Sequence, residues 1–278
     1  MNEVKTMTRK KAVILTISIG VIAFIAGAFL SGDSYEGDLS SSDQNTNTES
    51  CNVAAFSIKG YLGTFLVKQP IDQEVDVSSS EDIVYGMLVA ENDPQIKAVM
   101  VFIDSGGGDG VAGEEISNAL KSLSKPNVAV IRTLGASAAY WAATGADKIY
   151  ASKMSDVGGI GITSSYLDQS SKDAKEGYRY IELTSAKYKD LGDPSRPLTA
   201  EEKVIVLADL EKMHNVFVEE VAQNRNLKVA DVNKIANGLT FVGLNALNYG
   251  LIDEIGDIVS ATKHIENQIG EKADICWY

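Results

Sequence analysis

The sequence predicts an α/β domain built on a mostly parallel sheet and tethered to a membrane by one N-terminal helix. Three observations carry that expectation. Short β-branched runs alternate with helical patterns from residue 51 onward, an uncharged apolar run of 19 residues stands near the N-terminus, and a polar stretch separates the two.

The 278 residues are 45% hydrophobic and 23% charged, enough beyond the first thirty positions to bury one good-sized core or two small ones, and a single folded domain over 51–278 is expected. The formal charge of -13 is unevenly placed. Residues 1–11, with Lys5, Arg9, Lys10 and Lys11 against Glu3, form a basic tail of +3 and leave -16 for the remainder. A body that acidic repels phosphates, which excludes nucleic acid as a partner.

Ala12 to Leu30, AVILTISIGVIAFIAGAFL, is the apolar run, and as a helix it is long enough to cross a hydrocarbon core of about 30 Å. A cleavable signal peptide is the competing reading, because Arg9-Lys10-Lys11 resembles an n-region and Ala26-Gly27-Ala28 offers small residues. The length favours a retained anchor, since secretory apolar regions usually stop at about 7–15 residues. The positive flank stays inside, so a cell-membrane protein with an extracytoplasmic body is expected. Residues 31–50, rich in Ser, Asp and Asn, are too polar to offset the entropy of ordering and read as a disordered linker.

Strands are expected at Val53–Ile58, Ala98–Ile103, Val128–Ile131 and Lys148–Ala151, with helices at Glu81–Asn92, Gly110–Leu123 and Ser137–Gly145 between them. A longer helix begins after Thr199, where Thr199 and Glu202 fit a capping box; Leu207, Leu210, Met213, Phe217 and Val221 fall on one face, read as core packing. A short helix follows at Val229–Ala236, and a brief strand after Gly250 precedes the last helix. Cys51 and Cys276 stand near the two ends of this part. One bridge between them and two free thiols are both compatible with the sequence, because sequence separation does not fix a Cα distance.

Two segments carry chemistry. VMVFIDSGGGDG, Val99 to Gly110, runs an apolar strand into a glycine-rich turn ahead of a helix, so backbone amides can face an anion. The Lys and Ser/Thr of a P-loop are missing and no strict GxGxxG is present, which favours an oxyanion over a phosphate. About thirty residues on, Ser137 in Gly135-Ala136-Ser137-Ala138-Ala139 starts a helix of small residues, either as an N-cap or as a nucleophile favoured by the helix N-terminus. The chain has two histidines, His214 in an amphipathic helix and His264 near the C-terminus, and neither resembles the placed base of a Ser-His-Asp triad. A lysine freed of its proton by burial is the remaining common base. Lys187 and Lys189 in SAKYKDLGDPSRPLT are the candidates, and this reading leaves the choice between them open.

These residues together resemble signal peptide peptidase A, the S49 serine peptidases of the Clp-protease/crotonase fold. The resemblance runs over residues 53–257, through FIDSGGG, LGASAAYWAATGADKIYAS, VGGIGI, SAKYKDLGDPSRPLT and ANGLTFVGLNALNYGLIDEIG. It implies an α/β architecture of repeated ββα units wound as a spiral. The family's A-S-G-G-Y falls on Ala136-Ser137-Ala138-Ala139-Tyr140, which implies Ser137 as nucleophile. Its K-D element, ahead of a serine, an arginine and a threonine, falls on Lys189-Asp190, Ser195-Arg196 and Thr199 and selects Lys189 as general base. Its S-P-G-G turn falls on Ser105-Gly106-Gly107-Gly108 and implies an oxyanion hole at the Gly107 and Gly108 amides.

The sequence departs from the pattern at three places. Gly106 replaces a proline, Ala138 and Ala139 replace glycines, and Gly159 replaces the serine that bonds the base lysine, a role for which Ser155 and Thr163 are the nearby candidates. The resemblance further implies no metal or cofactor, peptide substrates such as signal peptide remnants, and a homo-oligomeric ring, an octamer, in which serine and lysine come from neighbouring copies. A peptide-binding scaffold inactivated at Gly159 is the alternative. An acyl-CoA enzyme of the same fold is disfavoured for an exported domain.

Overall fold

The computed structural model describes residues 51–66 and 76–278. The expected tail (1–11), membrane span (12–30) and linker (31–50) lie outside the described residues. Among those described, no helix is long and apolar enough to cross a membrane.

The first half alternates strand and helix as expected: β1 (Val53–Gly63), β2 (Val77–Ser79), α1 (Ser80–Asn92), β3 (Ala98–Gly108), α2 (Gly110–Ser122), β4 (Asn127–Ala136), α3 (Ala138–Thr144) and β5 (Lys148–Ala151). The second half holds β6 (Asp156–Gly158), α4 (Ser170–Lys175), α5 (Ala200–Asn224), α6 (Val229–Ile235), β7 (Thr240–Val242), α7 (Gly243–Asn248), β8 (Glu254–Ile255), α8 (Ile258–Ile269) and β9 (Ile275–Trp277). The main sheet runs β2-β1-β3-β4-β5-β8, with β9 added beside β1 and β6 and β7 branching from β4. Its pairings are parallel except β6 with β7.

The two-residue period of the strands splits the core. Ala54, Phe56, Ile58, Val99, Val101, Ile103, Ala129 and Ile131 face one side, with Ile83, Ile116 and Tyr140 from α1, α2 and α3. Val53, Ala55, Met100, Phe102, Val128 and Val130 face the other, covered by Ala261 and Ile265 of α8. Both faces being buried is why these strands read as continuous apolar runs.

Three expectations change. First, the glycine-rich stretch is not a turn after the strand. β3 continues through Gly108, opposite Tyr61 and Leu62 of β1 after a bulge, and a side chain at Gly108 would meet Leu62 O at 2.0 Å. Only glycine allows that approach. Second, the apolar face of α5 is core-packed only in its second half, where Phe217, Val218, Val221 and Ala222 are buried. Leu207 (64% exposed) and Met213 (49%) are left outward. In the first half of α5 only Glu202 is buried. Third, β6 and β7, three residues each, are too short to leave a periodic signal in the sequence and were not expected.

Cys51 and Cys276 are joined by a disulfide, with Cα atoms 5.7 Å apart. The parallel pairing of β9 with β1, which places Cys276 opposite Ala54, makes that geometry possible.

Candidate active site

Ser137 sits at the junction of β4 and α3, where its backbone takes φ 53° and ψ -130°. A non-glycine residue rarely adopts this conformation, which costs about 1–3 kcal/mol and persists only where the surroundings impose it. Here they do. The Ser137 amide donates to Gly158 O (2.8 Å) and its carbonyl accepts from Trp141 N (2.9 Å). The helix behind it is buried over its whole length. The Tyr140 hydroxyl donates to Leu251 O (2.8 Å), and Trp141 stacks on Phe217 of α5 with ring centroids 4.8 Å apart. The Ser137 side chain makes no capping bond, so it is free of the role that would have explained it away.

The backbone of β3 lies against this serine. Gly107 has φ 98°, and a Cβ there would stand 2.8 Å from Ala136 O, 2.8 Å from Ser137 Cβ and 2.9 Å from Ala138 N. The hydrogen bonding sets the expected oxyanion donors apart. The Gly107 amide donates to Ser105 Oγ (3.0 Å), which itself donates to Gly60 O (2.7 Å), so it is already engaged. The Asp109 amide serves β1 through Leu62 O (2.8 Å), and the alternation of a strand turns the Gly108 amide the other way. Ala138 is the first residue of α3, and its amide lies outside the helix's own bonding. The Gly107 amide is thus engaged within the sheet, while Gly108 lines a cleft together with Ser137 and Ala138 follows Ser137 directly in the chain. Capping logic applied to the residue after Ser137 would have found Ala138.

Ser137 opens on two clefts. One, of about 670 Å³, is lined by Gly159, Ile162, Thr163, Leu207, Leu210 and His214, among others. The second, of about 400 Å³, is lined by Val111, Trp141, Ile162, Met213 and Val216, with Asp109 and Glu114. The outward half of α5 thus walls both clefts, and His214, set aside from the sequence, lies on the wall of the first. Helical periodicity alone could not separate a cleft wall from a core face.

Lys189 lines neither cleft and lies exposed in the segment between β6 and α5. Neither cleft at Ser137 is thus shared with Lys189 of the same chain. Lys187 is exposed as well and lines neither cleft. Its ammonium binds the Glu201 carboxylate at 2.7 Å, and that bond with the neighbouring Tyr188 ring pushes its pKa up, favouring the charged form. Gly159 has φ 60°, and a side chain there would come 3.1 Å from Ala136 Cβ and 3.3 Å from Ser137 N. Of the two suggested substitutes for its missing hydroxyl, Ser155 is buried and spent on the carbonyls of Ile131 and Arg132. Thr163 lines both clefts.

A serine strained at a strand–helix junction, faced by a glycine strand of a parallel sheet, defines the class: a Clp protease-like α/β fold, and residues 65–156 match the Clp protease family profile. Residues 119–272 match the profile of peptidase family S49, and the chain belongs to that family. It is 35% identical over 178 residues to a candidate protease of Methanocaldococcus jannaschii, covering 63% of this chain and 57% of that one. It is 30% identical over 188 residues to protease 4 of Haemophilus influenzae, covering 66% and 30%. A solved ClpP1 variant from Listeria monocytogenes superposes with a TM-score of 0.48 at 16% identity, covering 73% of this chain and 91% of the other. The chain spans between about a third and somewhat over half of the length of these curated relatives.

Proposed function

We propose that this protein is a membrane-anchored, extracytoplasmic serine endopeptidase that degrades short peptides such as signal peptide remnants through Ser137 and Lys189. The observation that carries the reading is the strained Ser137, held at the mouth of two clefts, one of them lined also by Gly108, with the Ala138 amide next to it in the chain. Unprotonated Lys189 takes the Ser137 proton and the alkoxide attacks a peptide carbonyl. The Gly108 and Ala138 amides hold the tetrahedral oxyanion, each such donor being worth about 2.7–4 kcal/mol in known cases. Lysine then donates to the leaving amine, and water, activated in turn, releases the acyl group as a carboxylate.

A base that lines neither cleft of its own chain is supplied by a neighbouring copy, in a homo-oligomeric ring, an octamer. The unpartnered Val204, Leu207 and Met213 of α5 and the exposed Tyr178, Ile181 and Leu183 ahead of it support that assembly. The Cys51–Cys276 bridge supports placement in an oxidising compartment, outside the membrane that residues 12–30 would span.

The test is hydrolysis of casein by the full chain in detergent beside Ser137→Ala, Lys189→Ala and His214→Ala. The reading stands if the first two lose at least about a hundredfold and the third stays within about threefold. It falls if Lys189→Ala keeps its activity, or if His214→Ala loses as much as Ser137→Ala. Gly159 favours a second reading, a peptide-binding scaffold, which holds if the assembled parent is as inert as Ser137→Ala.

A further inference from the structure

Between Gly161 and Ala200 no residue is buried, and α4 within this stretch buries none. A forty-residue excursion without a core has no apolar means of holding Lys189 in one place. A polar device stands where the core is missing. Arg196, only 19% exposed at its side chain, lies between two carboxylates exposed by 11% (Asp190) and 5% (Glu202). Its Nε donates to Asp190 Oδ2 (2.9 Å) and its Nη2 to the Asp190 carbonyl (3.1 Å). On the other side Nη1 and Nη2 donate to the two oxygens of Glu202 at 2.9 and 2.7 Å. The Tyr180 hydroxyl closes the ring of contacts on Asp190 Oδ1 (2.6 Å).

Glu202 is at the same time part of the capping box that starts α5. It accepts from Thr199 N (2.8 Å), while its own amide donates to the Thr199 hydroxyl (3.2 Å). The residue next to Lys189 is therefore fixed, through its carboxylate and its carbonyl, to the first turn of the helix that walls the clefts at Ser137.

We propose that Arg196 is the positioning residue for Lys189, locking the segment that carries the base to α5 so that lysine and cleft wall move as one piece. The inference rests on Lys189 being the base. Its chemistry requires arginine: a planar guanidinium can engage a carboxylate, a carbonyl and a second carboxylate in one plane, and an ammonium cannot.

The experiment compares the full-length parent in detergent with Arg196→Ala, Arg196→Lys and Lys189→Met, reading kcat and KM on a fluorogenic peptide and hydrogen exchange along the chain. Expected are a kcat at least tenfold lower in both Arg196 variants, with KM within threefold, and faster exchange confined to residues 180–193 and the first turn of α5. A kcat within twofold of the parent in Arg196→Ala, or full activity in Arg196→Lys, overturns the proposal. So does exchange that quickens across β3 and β4, which would mark a general structural role. Retained activity in Lys189→Met sinks the assignment of the base instead, and the exchange pattern still decides whether Arg196 is the lock on this segment.

Discussion

Replacing Ser137 by glycine should make the protein more stable than replacing it by alanine, although both variants lack the nucleophile. The backbone at φ 53° and ψ -130° costs any residue with a Cβ about 1–3 kcal/mol. Glycine releases that strain, and its greater freedom in the unfolded chain takes back about 0.4–1 kcal/mol. The hydroxyl is lost in both variants and makes no capping bond in the parent, so it cancels. A net advantage of about 0.5–2 kcal/mol remains for glycine, or about 1–8 °C in melting temperature for a folded part of this size. Scanning calorimetry of Ser137→Gly and Ser137→Ala in the full chain, in one detergent and at one pH, reads it directly. An alanine variant as stable as the glycine variant would refute the claim that this junction stores strain.

Further outcomes follow from neighbouring features. Gly107→Ala places a methyl within 3 Å of Ala136 O, Ser137 Cβ and Ala138 N, and the displacement of Ser137 should lower kcat/KM on a fluorogenic peptide by about a hundredfold. Lys187→Met should leave both activity and melting temperature unchanged, because an exposed ion pair with Glu201 adds little. The Arg196 guanidinium holds Glu202 down at about 2, from 4.5, and the hydrogen bonds from Tyr180 and Arg196 lower Asp190 in the same direction. Carboxylates depressed on folding stabilise the protein above their unfolded values, so this contribution is complete above pH 4.5 and fades as the pH falls toward 2. Melting temperatures over that range should fall more steeply in the parent than in Arg196→Met, and equal slopes would contradict it. Reducing the Cys51–Cys276 bridge, which closes a loop across 225 positions, should cost about 2–5 kcal/mol in chemical denaturation.

Much of the scaffold was legible in the residues. The apolar runs of β1, β3, β4 and β5 announce a sheet covered on both faces, and Thr199 with Glu202 announces the start of α5, which the structure places at Ala200 with both bonds of the capping box. Ser137 was legible as a residue at a strand–helix junction, but its function and its strain were not, since a serine there is ordinarily an N-cap and a backbone angle is imposed by neighbours distant in sequence. The glycines of β3 read as a turn in the sequence because a glycine-rich stretch signals bending unless another strand, here Tyr61 and Leu62, lies close enough to need them.

What the sequence determined by itself is what depends on near neighbours: hydrophobic period, helix caps, the two candidate lysines and the serine between small residues. What only the tertiary structure decided is what depends on segments brought together across the chain. It engaged the Gly107 amide through Ser105 and left that of Ala138 beside Ser137, and it joined Cys51 to Cys276 through β9. It also tied Lys187 to Glu201 and bound Asp190 to Glu202 through Arg196. Each of these contacts is a few ångströms long and sequence distance carries no record of it, because a backbone amide or a charged side chain takes its partner from whatever the packed core places opposite it.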